Sequence, residues 1–89
     1  MKSFFLKKFQ KHYKKRIQPH KALDEKFRKR YLLFIQDQTN PILEDHQLKR
    51  DLKGYRAFSI TGDLRAIYYI KNDIAFFVDI GTHNQVYGG

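Results

Sequence analysis

The chain has 89 residues, no cysteine and a net charge of +9, which allows one modest core and excludes disulfides and thiolate metal sites. No apolar run approaches the roughly 20 residues that span a membrane, and MKSFFLKKF is too short an apolar segment for a secretory signal. A soluble cytoplasmic protein, with no membrane partner, is therefore expected; eight Phe and six Tyr can build a small core from large rings, so the chain is not disordered.

The charge is unevenly placed. Residues 1–35 carry twelve Lys/Arg against Asp24 and Glu25, a net of +10, while residues 36–89 carry six against seven acids, a net of −1. A cationic half joined to a neutral one suggests a polyanion or an acidic protein as partner.

In chain order, two helical patterns come first. Phe5, Phe9 and Tyr13 recur every four residues, with Leu6 and Ile17 near the same face and lysines filling the rest. Pro19 interrupts this pattern and suits the first turn of a second helix. Leu23, Phe27, Tyr31, Phe34 and Ile35 form that helix's stripe, which Asn40-Pro41 stops. The result is a helical hairpin with arms of roughly 12 and 17 residues, each marginal alone and needing a packing partner.

Three strand-like runs supply one: YRAFSI, LRAIYYI and IAFFVDI, joined by T-G-D and K-N-D. With three-residue connections, Phe58, Ile60, Leu64, Ala66, Tyr68, Ile70, Ile74, Phe76, Val78 and Ile80 share one face, the one the hairpin would cover. Ser59, Arg65, Phe77 and Asp79 fall on the other. Such segregation favours this register, since a slip of one residue exchanges the faces. It places Ser59 opposite Arg65 and Arg65 opposite Asp79, with His83 and Tyr87 just beyond the last strand.

Among the four histidines, His12 and His20 lie among lysines and read as surface residues, and no pair has metal-ligand spacing. His46 lies in the polar loop EDHQLKRDLKG and His83 in the loop after the last strand. Together with Arg65, Arg56 and Lys53 they suit RNA cleavage without a metal or other cofactor. That reaction needs a base for the ribose 2′-OH, an acid for the departing 5′ oxygen and cations for the phosphorane. Histidine can fill either proton role, arginine holds phosphate oxygens, and Tyr87 can stack on an extruded base. Arg65 also has a structural reading as a cross-strand ion pair with Asp79.

Three segments carry a resemblance: H-x-L-(x)5-G-Y-R at His46–Arg56, S-I-T-G-D-L-R-A-I-Y at Ser59–Tyr68 and D-I-G-T-H-N-Q-V-Y at Asp79–Tyr87. They resemble the RelE/ParE superfamily of toxins, in its YafQ-like branch of type II toxin–antitoxin modules. The resemblance implies an α+β fold with a two-helix hairpin on a small twisted antiparallel sheet, and a further strand at Ser3–Phe5. It makes residues 1–89 a single toxin domain, with the strand and basic hairpin in 1–40 and the sheet with its active-site loop in 54–87. Ribosome-dependent mRNA cleavage is implied, as are the bacterial ribosome with its RNA, an mRNA substrate and a neutralising antitoxin as partners.

By the same resemblance His46, Asp63, His83 and Tyr87 match catalytic or substrate-binding positions, and Arg65 matches a phosphate-stabilising arginine. The expected catalytic set is His46, Asp63, Arg65 and His83; Lys53, Arg56, Ser59 and Tyr87 are expected to bind substrate. Ser59 stands where such toxins often have a further histidine, Leu64 where they often have tryptophan, and Asp79 in place of a last-strand arginine. Two other readings stay open: a ParE-like inhibitor of DNA gyrase, which needs no proton-transfer histidines, and a homologue that binds RNA or antitoxin without cutting.

Overall fold

The computed structural model describes residues 1–88. A short strand β1 (Lys2–Phe5) leads into helices α1 (Lys7–Arg16) and α2 (Lys21–Gln36). Strands β2 (His46–Gln47), β3 (Arg56–Ser59), β4 (Leu64–Lys71) and β5 (Ile74–Thr82) follow, and a π-helical turn, Asn84–Gly88, comes after β5. The strands form one sheet in the order β1-β5-β4-β3-β2. The expected N-terminal strand is present, but it pairs parallel to β5, so the sheet is mixed rather than wholly antiparallel. Among the described residues no helix is long and apolar enough to cross a membrane.

The two periodic stripes form the helices that the spacing predicts. Pro19 sits in the turn before α2 rather than in its first turn, because His20 takes the N-cap position. At the far end Asn40 Oδ1 accepts the Ile42 N–H and starts a 3₁₀ turn through Pro41. Both helices lay aromatic residues on the sheet: Phe9, Phe27 and Phe34 pack with Phe58, Tyr68 and Phe77 in one core. Phe77 is its hub, with the rings of Phe5, Phe9, Tyr31, Phe34, Phe58 and Tyr68 at 5.3–6.0 Å.

That position corrects the predicted register. The first connection does span three residues, with Ser59 opposite Arg65 and the Ile60 N–H donating to Leu64 O at 2.8 Å. The second is a two-residue turn: Lys71 pairs with Ile74, and Asn72 and Asp73 take φ of 53° and 63°. Left-handed backbone at both central residues is the hairpin geometry that matches strand twist. One residue fewer in the turn exchanges the faces of β5, so Ala75 and Phe77 enter the core while Ile74 and Phe76 turn away. A bulge then absorbs the shift, since pairing passes from Tyr68↔Phe77 to Ile67↔Asp79 and leaves Val78 as the extra residue. Beyond it Ile80 returns to the core, and Arg65 faces Gly81 instead of Asp79.

Asp79 is consequently not the partner of Arg65. It is buried, and its carboxylate accepts from His12 Nδ1 at 2.5 Å and Arg16 Nη1 at 3.5 Å, with Lys8 Nζ 3.6 Å away. Arg16 also donates to the Ile80 carbonyl at 2.9 Å. His12, expected on the surface, instead helps fasten α1 to the last strand.

Candidate active site

A cavity of about 350 Å³ opens where β2, β4 and the chain beyond β5 meet, and its walls are His46, Gln47, Leu48, Lys49, Arg65, His83 and Tyr87. Four of the residues singled out in the sequence thus converge from three separate segments. A larger groove of about 870 Å³ runs between α1 and α2, floored by rings such as Phe9 and Phe27 and rimmed by Lys11, Lys14 and Arg28. No histidine or carboxylate lines that groove among the described residues, whereas two histidines and an arginine line the smaller cavity.

Each wall is fixed by short-range interactions. His46 opens β2 opposite Ala57, and its Nδ1–H donates to the Glu44 carbonyl at 2.9 Å. This bond selects the tautomer that leaves Nε2 free as an acceptor. Glu44 supplies the preceding bend, with φ of 50°. Arg65 stands at the start of β4, and its Nη1 donates to Ser59 Oγ at 2.9 Å across the β3–β4 pair. Ser59 is buried and does not line the cavity, so its hydroxyl acts on the guanidinium rather than on a ligand.

His83 follows β5 on an exposed turn. Its backbone N–H is shared between the Asp63 carbonyl at 3.1 Å and Asp63 Oδ1 at 3.2 Å. Asp63 is in turn held by Thr61, whose hydroxyl accepts the Asp63 and Leu64 N–H groups. Asp63 therefore lies behind His83 and outside the cavity wall. Thr82 and Gln85 exchange backbone-to-side-chain bonds at 2.8 and 3.3 Å, which closes the π-helical turn carrying Tyr87. The Tyr87 ring meets the His83 imidazole at 4.7 Å and 67°. Among the described residues its hydroxyl has no hydrogen-bond partner; burial holds the phenol above its ordinary range while Arg65 pulls it back.

Two expected phosphate ligands lie elsewhere. Arg56 Nε donates to Asp45 Oδ1 at 2.7 Å, and the other Asp45 oxygen accepts from Tyr68 OH, which also receives Gln38 Nε2 at 2.8 Å. This network holds the loop before β2 against the core, and Arg56 does not reach the cavity. Lys53 is exposed after the 3₁₀ turn Arg50–Leu52 and is also absent from its walls. The lysine that does line it is Lys49, three residues beyond His46. Its closeness to His46 in the H-Q-L-K run was the one available signal, since strict alternation along an extended segment would put Lys49 on the other side from His46.

The family model for the bacterial toxin of type II toxin–antitoxin system, YafQ, matches residues 1–88. No curated protein matches the chain by sequence. Among solved structures, YafQ from E. coli strain BL21(DE3) superposes with a TM-score of 0.82 at 25% identity, covering 97% of each chain. The toxin in the E. coli DinJ–YafQ complex gives 0.79 at 26% identity, again over 97% of each chain. A YoeB/ParE toxin from Agrobacterium tumefaciens, 17% identical, shares the fold with a TM-score of 0.77 over 93% of this chain and 99% of its own. The chain belongs to the YafQ family of bacterial type II toxin–antitoxin toxins.

Proposed function

We propose that this toxin is an endoribonuclease that cleaves mRNA in the decoding site of translating ribosomes, in the cytoplasm and without a metal ion or other cofactor. The observation that carries the reading is the convergence of His46, Arg65 and His83 on one cavity. His46 Nε2 takes the proton of a ribose 2′-OH, and the freed oxygen attacks the adjacent phosphorus. The bond from phosphorus to the 5′ oxygen breaks, and His83 protonates that oxygen as it leaves. The products are a 2′,3′-cyclic phosphate and a 5′-hydroxyl. Arg65, oriented by Ser59, meets the charge that builds on the phosphoryl oxygens, and Lys49 adds a second cation. Tyr87 steadies His83 and offers its remaining ring surface to a base.

The lysine-rich face of α1 fits ribosomal RNA, whose phosphates give sequence-independent affinity. A cognate antitoxin is the expected protein partner, by analogy with DinJ in the E. coli complex. Gyrase poisoning would leave the histidine–arginine cavity without a purpose, so the nuclease is preferred.

Primer extension on a defined mRNA in a reconstituted bacterial translation system tests this reading, with His83→Ala for comparison. Discrete cuts in occupied decoding sites, reduced about 10²–10⁴-fold in the variant, are expected. Intact mRNA with folded wild-type toxin, accompanied by loss of DNA supercoiling, would transfer the function to gyrase.

A further inference from the structure

Phe4, Phe76, Tyr69 and Tyr55 lie side by side across the face of the sheet opposite the helices. Phe4 pairs with Phe76 and Phe76 with Tyr69, while Tyr55 immediately precedes the Arg56↔Tyr68 pair. Their rings touch in the same order: 5.7 Å and 18° for Phe4–Phe76, 5.1 Å and 16° for Phe76–Tyr69, and 5.7 Å and 82° for Tyr69–Tyr55. Near-parallel rings at these separations overlap only in part, which leaves ring surface open. Phe4 is 56% exposed, and none of the four belongs to the buried core cluster.

Charge and continuity indicate what would cover this row. Two residues along the same strand faces lie Lys2 and Lys71, both paired in register with Ile74, so a line of cations runs beside the line of rings. At the other end the row reaches the active site: the Leu48 N–H donates to the Tyr55 carbonyl at 2.9 Å, and Leu48 is part of the cavity wall. Arg65 and Tyr69 share one face of β4, about 13 Å apart at ~3.3 Å per residue.

We propose that this aromatic row is a stacking platform for single-stranded RNA beyond the cleavage pocket, with Lys2 and Lys71 holding its phosphates. The proposal rests on the endonuclease reading. Single strands are bound by aromatic rings with flanking cations because every base has a π-face and every linkage a charge.

The test measures binding of 2′-O-methyl RNA, which cannot be cut because its attacking oxygen is blocked. A single-stranded octanucleotide and a trinucleotide are compared by fluorescence anisotropy against wild type, Phe4→Ser and Phe4→Ser/Tyr69→Thr, with circular dichroism confirming the fold. Phe4 touches only Phe76 among the rings, so its single variant keeps the core intact. The octanucleotide should bind wild type more tightly than the trinucleotide, and at least about tenfold more weakly to the double variant. The trinucleotide should be indifferent to both substitutions. Unchanged octanucleotide affinity in the folded variants overturns the platform, and cuts by wild type in primer extension would then leave the nuclease standing. A wild type that neither binds nor cuts RNA removes both. Variants that change the oligomeric state or lose a protein partner, while binding RNA as before, reassign the row to a protein interface.

Discussion

Asp63 reaches His83 through the backbone without lining the cavity. Both of its oxygen-bearing groups accept the single N–H of His83, so its carboxylate helps set where that imidazole stands. A proton-transfer role and a positioning role predict different responses to substitution. Asp63→Asn removes the titratable proton but keeps Oδ1 as an acceptor, whereas Asp63→Ala removes both. If the carboxylate positions His83, the Asn variant should retain cleavage within a few-fold of wild type and the Ala variant should lose at least about tenfold, a loss on the scale of one hydrogen bond. Single-turnover cleavage rates decide the matter; equal and severe losses in both variants would return Asp63 to the chemistry. Ser59 is the parallel case, since its hydroxyl accepts from Arg65 and it does not line the cavity. The resemblance singled out both residues, and the structure adds which atoms each of them meets: Arg65 for Ser59 and the His83 N–H for Asp63.

At the scale of elements, the helices and the first hairpin were legible and the last strand was not. The helical stripes are apolar on one side only, so their period fixes which face is buried. The T-G-D connection was equally informative, because Arg65 cannot share a face with Phe58 and Ile60. In IAFFV every residue is apolar, and either register of β5 buries a phenylalanine; the pattern holds no information that distinguishes Phe76 from Phe77. What decides is the turn, where Asn72 and Asp73 accept positive φ and so remove one residue from the connection. This turn predicts a stabilising substitution. Asp73 has φ of 63°, and glycine reaches that region without the Cβ crowding that costs other residues roughly 1–2 kcal/mol. Asp73→Gly would complete an Asn-Gly pair, the preferred type I′ sequence. A gain of up to about 1 kcal/mol in urea unfolding is expected, reduced by the greater freedom of glycine in the unfolded chain. A loss of stability would mean that the Asp73 side chain contributes something the backbone argument omits.

Across the whole molecule the charge imbalance has a structural hinge. The cationic N-terminal segment and the near-neutral sheet meet at Asp79, a buried acid approached by Lys8, His12 and Arg16 from α1. Read from the sequence, Asp79 belonged with Arg65; the two-residue turn and the bulge at Val78 each shifted β5 by one place, so that Asp79 pairs with Ile67, and no local pattern announced the bulge. Its new position couples the basic helix, the proposed RNA grip, to the strand that delivers His83. Removing the charge but not the shape, as in Asp79→Asn, leaves Lys8, Arg16 and the His12 imidazole facing an amide. The amide oxygen can still accept the Ile80 N–H, which Asp79 Oδ1 now receives at 2.8 Å, so the change isolates the electrostatic part. Lys8 is largely exposed and the other two side chains are about one-fifth exposed, so water screens part of the attraction. A destabilisation of about 1–3 kcal/mol at low salt follows, the range for a buried group that loses a charged partner. Because the lost attraction of Lys8 and Arg16 to the carboxylate is electrostatic, added salt should shrink the difference: near 1 M the screening length is only about 3 Å. Thermal unfolding of wild type and variant across a salt series measures this directly. Melting curves that coincide at low salt would show that α1 is held by its aromatic stripe alone. A gap that persists unchanged at high salt would show that the carboxylate acts through geometry, by ordering the bulge, rather than through its charge.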